Sequence, residues 1–386
     1  MSATAKIHFS GLNALRFFAA YFVALHHGET IRHKFGLPNF NDYSFFQNGA
    51  IAVSFFFVLS GFLITYLLLT EIEKTETVSL RKFYWRRVLR IFPLYYLLVF
   101  IGLIAIPVLL SVINYPNTQP YDTWTGGVLF LFFLSFVVNA AFGSHFLEPL
   151  WSIGVEEYFY IIWAPLLKIF KKRPLSIIGF VIVFKAILTL FFTFFPSENA
   201  TFNLIKEVTA SLKFDLMAIG GLGAYAVFKN RPMLEKAFFF NPIFQVLLFV
   251  LLTVRFFFNN YCVDNQGIIG FFYRGFVLTP VVNVFTEGVL FLWLLLNVSI
   301  NPRAFFKLQN PILNRLGEMS YGIYMYQMLV IFAVVLGFKK TMLKMTPSVS
   351  TAFFYVLVTI GVISISWLSK RYFEDRFLRL KKRFDV

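Results

Sequence analysis

Arg16 and His27 lie eleven residues apart in one mostly apolar stretch, 11–28. At about 100° per residue, eleven steps make three turns and roughly 20°, so on a helix the two share a face about 16 Å apart. His26 falls about 80° off that face. A guanidinium binds anions, and an imidazole moves protons near neutral pH. The plainer alternative is that Arg16 snorkels to one membrane interface and both histidines sit at the other. A second group is Glu156 and Glu157, in a stretch that begins Trp151-Ser152-Ile153-Gly154-Val155. If the helix starts near Trp151, both carboxylates are in its second turn, which suits a site facing other helices. A solvated helix N-terminus with favourable dipole placement is the other reading. A third group is Arg86, Arg87 and Arg90. Arg86 and Arg90 are i,i+4 neighbours on a helix, and arginine forks match phosphate oxygens. An anionic-lipid contact that also fixes topology would use the same residues. Ser60-Gly61, inside the stretch 49–64, suggests close helix packing.

The elements that must position these residues are set by composition. Of 386 residues, 58% are hydrophobic, 54 are Phe, and only 14% are charged. Soluble domains carry about 25% charged residues. A soluble enzyme and a disordered chain are both excluded, and the fold class is an all-α polytopic membrane protein. The formal charge of +16 comes from 35 basic and 19 acidic residues. Most of the basic residues fall in short segments between apolar runs, so they report membrane orientation and not nucleic-acid binding. The only cysteine, Cys262, excludes an internal disulfide and a cysteine metal cluster, and no metal site is expected.

A membrane helix needs about 20 mostly apolar residues. Ten spans are expected at 11–28, 50–70, 91–112, 151–170, 175–195, 208–228, 242–258, 276–298, 319–337 and 350–369. They form a single bundle and one domain over 1–386, with a basic cytoplasmic tail over 371–386. The first stretch is read as a retained span and not a cleaved signal. Segment 71–90 is rich in Lys and Arg, so it should be cytoplasmic, and both termini follow it. Segments 29–49 and 113–126 are then external. The short apolar stretch 127–141 must dip in and return, or lie at the outer interface, because one crossing at 151–170 accounts for the charge pattern. Segment 338–349, with Lys339, Lys340 and Lys344, comes out external against the charge rule.

Four segments, in order, resemble the acyltransferase 3 family of membrane acyltransferases. They are Leu15-Arg16 with His27 eleven residues on, Phe56-Phe57-Val58-Leu59-Ser60-Gly61-Phe62-Leu63-Ile64, Arg86-Arg87-Val88-Leu89-Arg90-Ile91-Phe92-Pro93, and Trp151-Ser152-Ile153-Gly154-Val155-Glu156. Weaker echoes follow at Phe214-Asp215-Leu216, Ser320-Tyr321-Gly322-Ile323-Tyr324 and Tyr372-Phe373-Glu374. The resemblance covers nearly the whole chain. It implies transfer of an acyl group, usually acetyl from acetyl-CoA, to a hydroxyl of a glycan or another small acceptor. It places the essential histidine at His27, its paired arginine at Arg16, the motif glutamate at Glu156 and the cytoplasmic arginines at Arg86, Arg87 and Arg90. Ser60, Trp151, Ser152 and Glu157 are supporting candidates. Many members carry Asp where this chain has Ser54, and His where it has Gln327, so neither position is given a catalytic role.

The expected chemistry uses His27 as base on an acceptor hydroxyl, with Glu156 fixing its tautomer. Arg16 would bind donor phosphates or stabilise the thioester oxyanion. An acyl-histidine intermediate is an open alternative. No cofactor is held permanently, and acyl-CoA is the co-substrate. The expected partners are the lipid bilayer, the acyl-CoA donor and a carbohydrate or lipid-linked glycan acceptor, with no nucleic acid. The resemblance also implies a bacterial inner membrane. The competing reading is a transporter or flippase of a glycan or lipid-linked substrate, in which intramembrane Arg, His and Glu line a pathway.

Overall fold

The computed structural model describes residues 9–112 and 119–384. The first eight residues, residues 113–118 of the expected external loop and the last two residues of the tail lie outside the described residues. Every regular element among the described residues is helical, with no strand.

The helices that matter for the site are α1 (Leu12–Lys34), α2 (Gly49–Thr75), α3 (Leu80–Phe100), α4 (Thr123–Leu131), α5 (Ser135–Phe142), α6 (Leu150–Ile169), α7 (Pro174–Phe194), α8 (Phe214–Glu235), α9 (Pro242–Phe257), α10 (Pro280–Ile300), α11 (Ser320–Met342), α12 (Pro347–Ser369) and α13 (Asp375–Lys381). By length and composition, seven helical runs among the described residues are able to cross a membrane. They are Gly49–Thr75, Leu80–Val112, Pro174–Phe194, Ala200–Glu235, Pro280–Ile300, Ser320–Met342 and Pro347–Leu380. The other three expected spans are also helical, as α1, α6 and α9. α1 and α6 are more polar because they carry Arg16, Glu29, Arg32, Glu156 and Glu157, and α9 has only 16 residues. The two most polar of these long helices thus hold the candidate chemistry.

One expectation on the polypeptide's course is corrected. The span expected to begin at 91 begins at Leu80, so Arg86, Arg87 and Arg90 sit on the span helix itself. Pro93 lies inside this helix and does not start it. Its missing N–H costs one helical hydrogen bond, which the flanking turns absorb. The 127–141 stretch is not one helix. α4 and α5 are separated at Phe132–Leu134, where Phe133 takes φ 59°. Each piece, of nine and eight residues, is too short to span alone. The break packs into the bundle: Tyr95 donates to the Phe130 carbonyl at 3.0 Å, and Tyr96 to that of Leu131 at 2.8 Å.

One contiguous apolar core joins the helices. α2 and α8 meet backbone to backbone. A Cβ on Gly61 would stand 1.9 Å from the Met217 carbonyl oxygen, and one on Gly220 would stand 2.0 Å from that of Val58. This is the close packing that Ser60-Gly61 suggested. α1 and α6 run in opposite directions: Lys34 at the end of α1 bonds Ser144, just before α6, at 3.0 Å. The basic last turn of α11 also finds a local partner. Lys339 lies over the Phe35 ring, 5.4 Å from its centroid, so part of its cationic charge is met by an aromatic face.

Candidate active site

The candidate residues fall into two groups. Arg16 on α1, Ser60 on α2, Arg86, Arg87 and Arg90 on α3, and Ser152 and Glu156 on α6 line one cavity of about 820 Å³. His27, Glu157 and Trp151 do not line it.

Glu156 is held from two sides. Ser60 donates to one carboxylate oxygen at 3.0 Å, and Tyr160, one turn along α6, donates to the other at 2.8 Å. The carboxylate is thereby fixed toward the cavity. The Glu156–His27 contact expected from the sequence is absent: among the described residues His27 makes no hydrogen bond. The reason is geometric. Glu156 lies level with Arg16, and His27 is three turns further along α1, about 16 Å away. His26 and His27 separate as the helical wheel required. The His26 Nδ1 is 2.7 Å from the Phe46 carbonyl, and its ring packs where Gly49 leaves space at the start of α2. The His27 ring lies beside it with centroids 5.2 Å apart, and its nitrogens are unspent among the described residues.

The arginines are not equivalent. Arg86 is already engaged by Glu71 at 3.3 Å and by the Phe384 carbonyl in the tail at 2.8 Å. Trp85 stacks on Phe384, so the tail docks directly beside it. Arg87 lies over the rings of Tyr160 and Phe83, at 5.1 and 5.8 Å. Arg16 and Arg90 make no hydrogen bond among the described residues, and Arg16 lies within electrostatic reach of both Arg90 and Glu156. Five basic side chains, Arg16, Lys74, Arg86, Arg87 and Arg90, face three acidic ones, Glu71, Glu73 and Glu156. A cavity with that balance and with unspent guanidinium donors suits a ligand carrying several phosphates.

Of the supporting candidates, Ser60 and Ser152 touch the cavity, and Trp151 packs edge-on against Phe57 at 5.6 Å. Glu157 is buried and one of its carboxylate oxygens has no hydrogen-bond partner.

A family model described as an acyltransferase domain matches residues 9–371. The chain belongs to the acyltransferase 3 family. Over 302 residues it is 27% identical to the peptidoglycan O-acetyltransferase OatA of Listeria monocytogenes, covering 74% of this chain and 45% of that protein. It is 33% identical over 162 residues to a Bacillus subtilis protein provisionally named a peptidoglycan O-acetyltransferase, covering 40% of this chain and 23% of that one. An uncharacterised protein of Haemophilus influenzae is 30% identical over 231 residues, 55% of this chain and 90% of its own. The chain therefore spans less than half the length of the Listeria relative. No solved structure matches it significantly.

Within this family member, sequence reasoning missed two buried polar networks. Glu29 and Arg32 form a fully buried ion pair at 2.6 Å near the end of α1. Tyr355 and the Phe40 backbone N–H donate to Glu29, and Arg32 donates to Thr351. Glu287 on α10 accepts from Arg255 at 2.7 Å and from Ser54 at 2.8 Å. The signals were present: an i,i+3 charge pair at a span end, and a glutamate within the apolar run 276–298. Ser54 is therefore not silent. It bonds a carboxylate supplied by another helix.

Proposed function

We propose that the chain is an integral membrane O-acyltransferase that takes its donor as an acyl-CoA from the cytoplasmic side and esterifies a hydroxyl of a carbohydrate or lipid-linked glycan. The observation that carries this reading is the cavity in which Arg16, Arg87 and Arg90 surround a carboxylate fixed by Ser60 and Tyr160. Its charged end, at Glu71, Lys74 and Arg86, corresponds to the segment that the positive-inside rule places in the cytoplasm. The nucleotide phosphates would lie there, with the thioester reaching toward Arg16 and Glu156. The peptidoglycan named in the Listeria relative supports a glycan acceptor. The proposed topology has ten spans with both termini cytoplasmic, in a bacterial inner membrane, and it counts α1, α6 and α9 as crossings.

In the reaction the acceptor oxygen attacks the thioester carbonyl. His27 takes the hydroxyl proton, the C–S bond breaks, and the thiolate leaves and is protonated, so an alcohol and an acyl-CoA become an ester and free CoA. Arg16 stabilises the oxyanion. In the arrangement seen here His27 stands outside the donor cavity. The hydroxyl and the thioester meet when the contact between Tyr324 and Ser152, which closes that end of the cavity, opens.

The test is incubation of purified protein in lipid nanodiscs with radiolabelled acetyl-CoA and a glycan acceptor. Release of CoA with label in the acceptor is the expected result. No release, with glycan uptake in proteoliposomes, overturns the reading in favour of the transporter. The broken α4–α5 pair gives that competitor a physical basis, because discontinuous helices are common in transporters.

A further inference from the structure

We infer that Phe56 and Tyr324 form a wall that limits the length of the acyl chain the cavity accepts. This deepens the proposed function and rests on its acyl-CoA donor.

Along α2 the cavity lining runs from Phe56 to Lys74. Eighteen residues at 1.5 Å each make roughly 27 Å, enough for an elongated ligand lying along the helix. The lining changes character along that path. It is charged at Glu71, Glu73 and Lys74, and aromatic at Phe56. At the aromatic end three helices close on each other. The Tyr324 hydroxyl donates to the Pro149 carbonyl at 2.9 Å and lies 2.8 Å from the Ser152 Oγ. The rings of Phe56 and Tyr324 meet edge to face with centroids 5.9 Å apart. Tyr324 is buried and its hydroxyl is doubly engaged, so the wall is shut in the arrangement that first receives the donor, before the opening that transfer requires.

The position of the wall relative to the chemistry follows from helix spacing. Phe56 is one turn from Ser60, and Ser152 is one turn from Glu156. Ser60 and Glu156 are bonded to each other. Because α1 and α6 are antiparallel, Ser152 lies on the His27 side of Glu156. The wall therefore stands one turn, about 6 Å, beyond the fixed carboxylate. A thioester level with Glu156 and Arg16 leaves that depth for its acyl group. An acetyl group fits it. A six-carbon chain meets the Phe56 ring or forces the thioester out of register with Arg16, and overfilling a packed site is costly. A single methylene in a tight apolar pocket already changes selectivity by about tenfold or more.

The experiment is displacement of radiolabelled acetyl-CoA from the purified full chain by unlabelled acetyl-CoA, hexanoyl-CoA and CoA. The native protein should favour acetyl-CoA over hexanoyl-CoA by at least about tenfold. Phe56→Ala should reduce that ratio by about tenfold or reverse it. Because the readout is a ratio within one preparation, partial loss of folded protein cancels. If Phe56→Ala binds none of the three compounds, Phe56→Leu takes its place, with a smaller shift in the same direction. A native protein that binds both acyl-CoAs equally, or variants that keep the native ratio, overturns the inference while leaving the donor site intact. A native protein that binds neither acyl-CoA nor CoA overturns the donor reading itself.

Discussion

Ser60 on α2 and Glu156 on α6 are joined by a 3.0 Å hydrogen bond across the donor cavity. Tyr160 completes the hold from the other side at 2.8 Å. Each bond fixes one carboxylate oxygen, so the two should be separable by mutation. Tyr160→Phe removes one donor and keeps the ring beneath Arg87. The expected result is a fall in kcat of about tenfold, equivalent to one hydrogen bond to a charged group, with KM for the donor little changed. Glu156→Gln should cost at least about a hundredfold. Steady-state CoA release checks both. A Tyr160→Phe loss that persists undiminished in the Glu156→Gln background would mean that Tyr160 does not act through Glu156.

The arginines should divide by what already binds them. Arg86 is engaged by Glu71 and the tail, whereas Arg16 and Arg90 have no hydrogen-bond partner among the described residues. Arg90→Ala should weaken CoA binding about tenfold or more, since charge-assisted bonds to phosphate contribute about 1.5–3 kcal/mol, whereas Arg16→Ala, at the thioester, should lower kcat with CoA binding little changed. Arg86→Ala should weaken it less, because its guanidinium donors are already spent on Glu71 and the Phe384 carbonyl. Equilibrium binding at two salt concentrations measures this. A larger effect at Arg86 than at Arg90 would contradict the assignment.

His26 and His27 should differ in kind. His26 is bonded to the Phe46 carbonyl and packed at Gly49, while the His27 nitrogens are unspent among the described residues. His27→Ala should lower acyl transfer by about 10²–10⁴-fold with normal thermal stability. His26→Ala should mainly lower the melting temperature. Transfer assays paired with thermal unfolding in detergent separate the two. Intact transfer in His27→Ala would remove the base from the mechanism.

The candidate chemistry was legible because charge is rare in this chain. With 14% of residues charged, Arg16, Glu156 and the Arg86–Arg90 group stood out against an apolar background. What holds them was not legible. Tyr160 lies four residues from Glu156, the same spacing that links Arg86 to Arg90, but aromatics make up 20% of the chain and no single tyrosine is distinctive. The Ser60–Glu156 bond joins residues 96 positions apart, and spacing within one helix says nothing about partners on another. The same limit explains why Glu156 was paired with His27. Facial arithmetic on α1 fixes positions within that helix alone, and the height of α6 against α1 is set by tertiary packing. The broken α4–α5 pair was expected as a stretch that dips in and returns or lies at the outer interface, and its break at Phe133 depends on contacts with Tyr95 and Tyr96 that spacing does not show.

The buried Glu29–Arg32 pair gives a prediction about stability alone. Both side chains are fully buried, and Arg32 also lies over the Phe354 ring at 5.2 Å. Arg32→Met leaves Glu29 as an uncompensated buried carboxylate, which costs about 3–5 kcal/mol. Glu29→Gln strands the guanidinium in the same way. The double variant Glu29→Gln, Arg32→Met removes both charges, and replacing a buried pair with neutral groups is often close to neutral. The expected pattern is two unstable single variants and a double variant recovering most of the native melting temperature. Thermal unfolding of the four proteins in one detergent reads it as a double-mutant cycle. Additive losses in the double variant would mean that the two residues are held by Tyr355, Phe40 and Thr351 separately and not by each other.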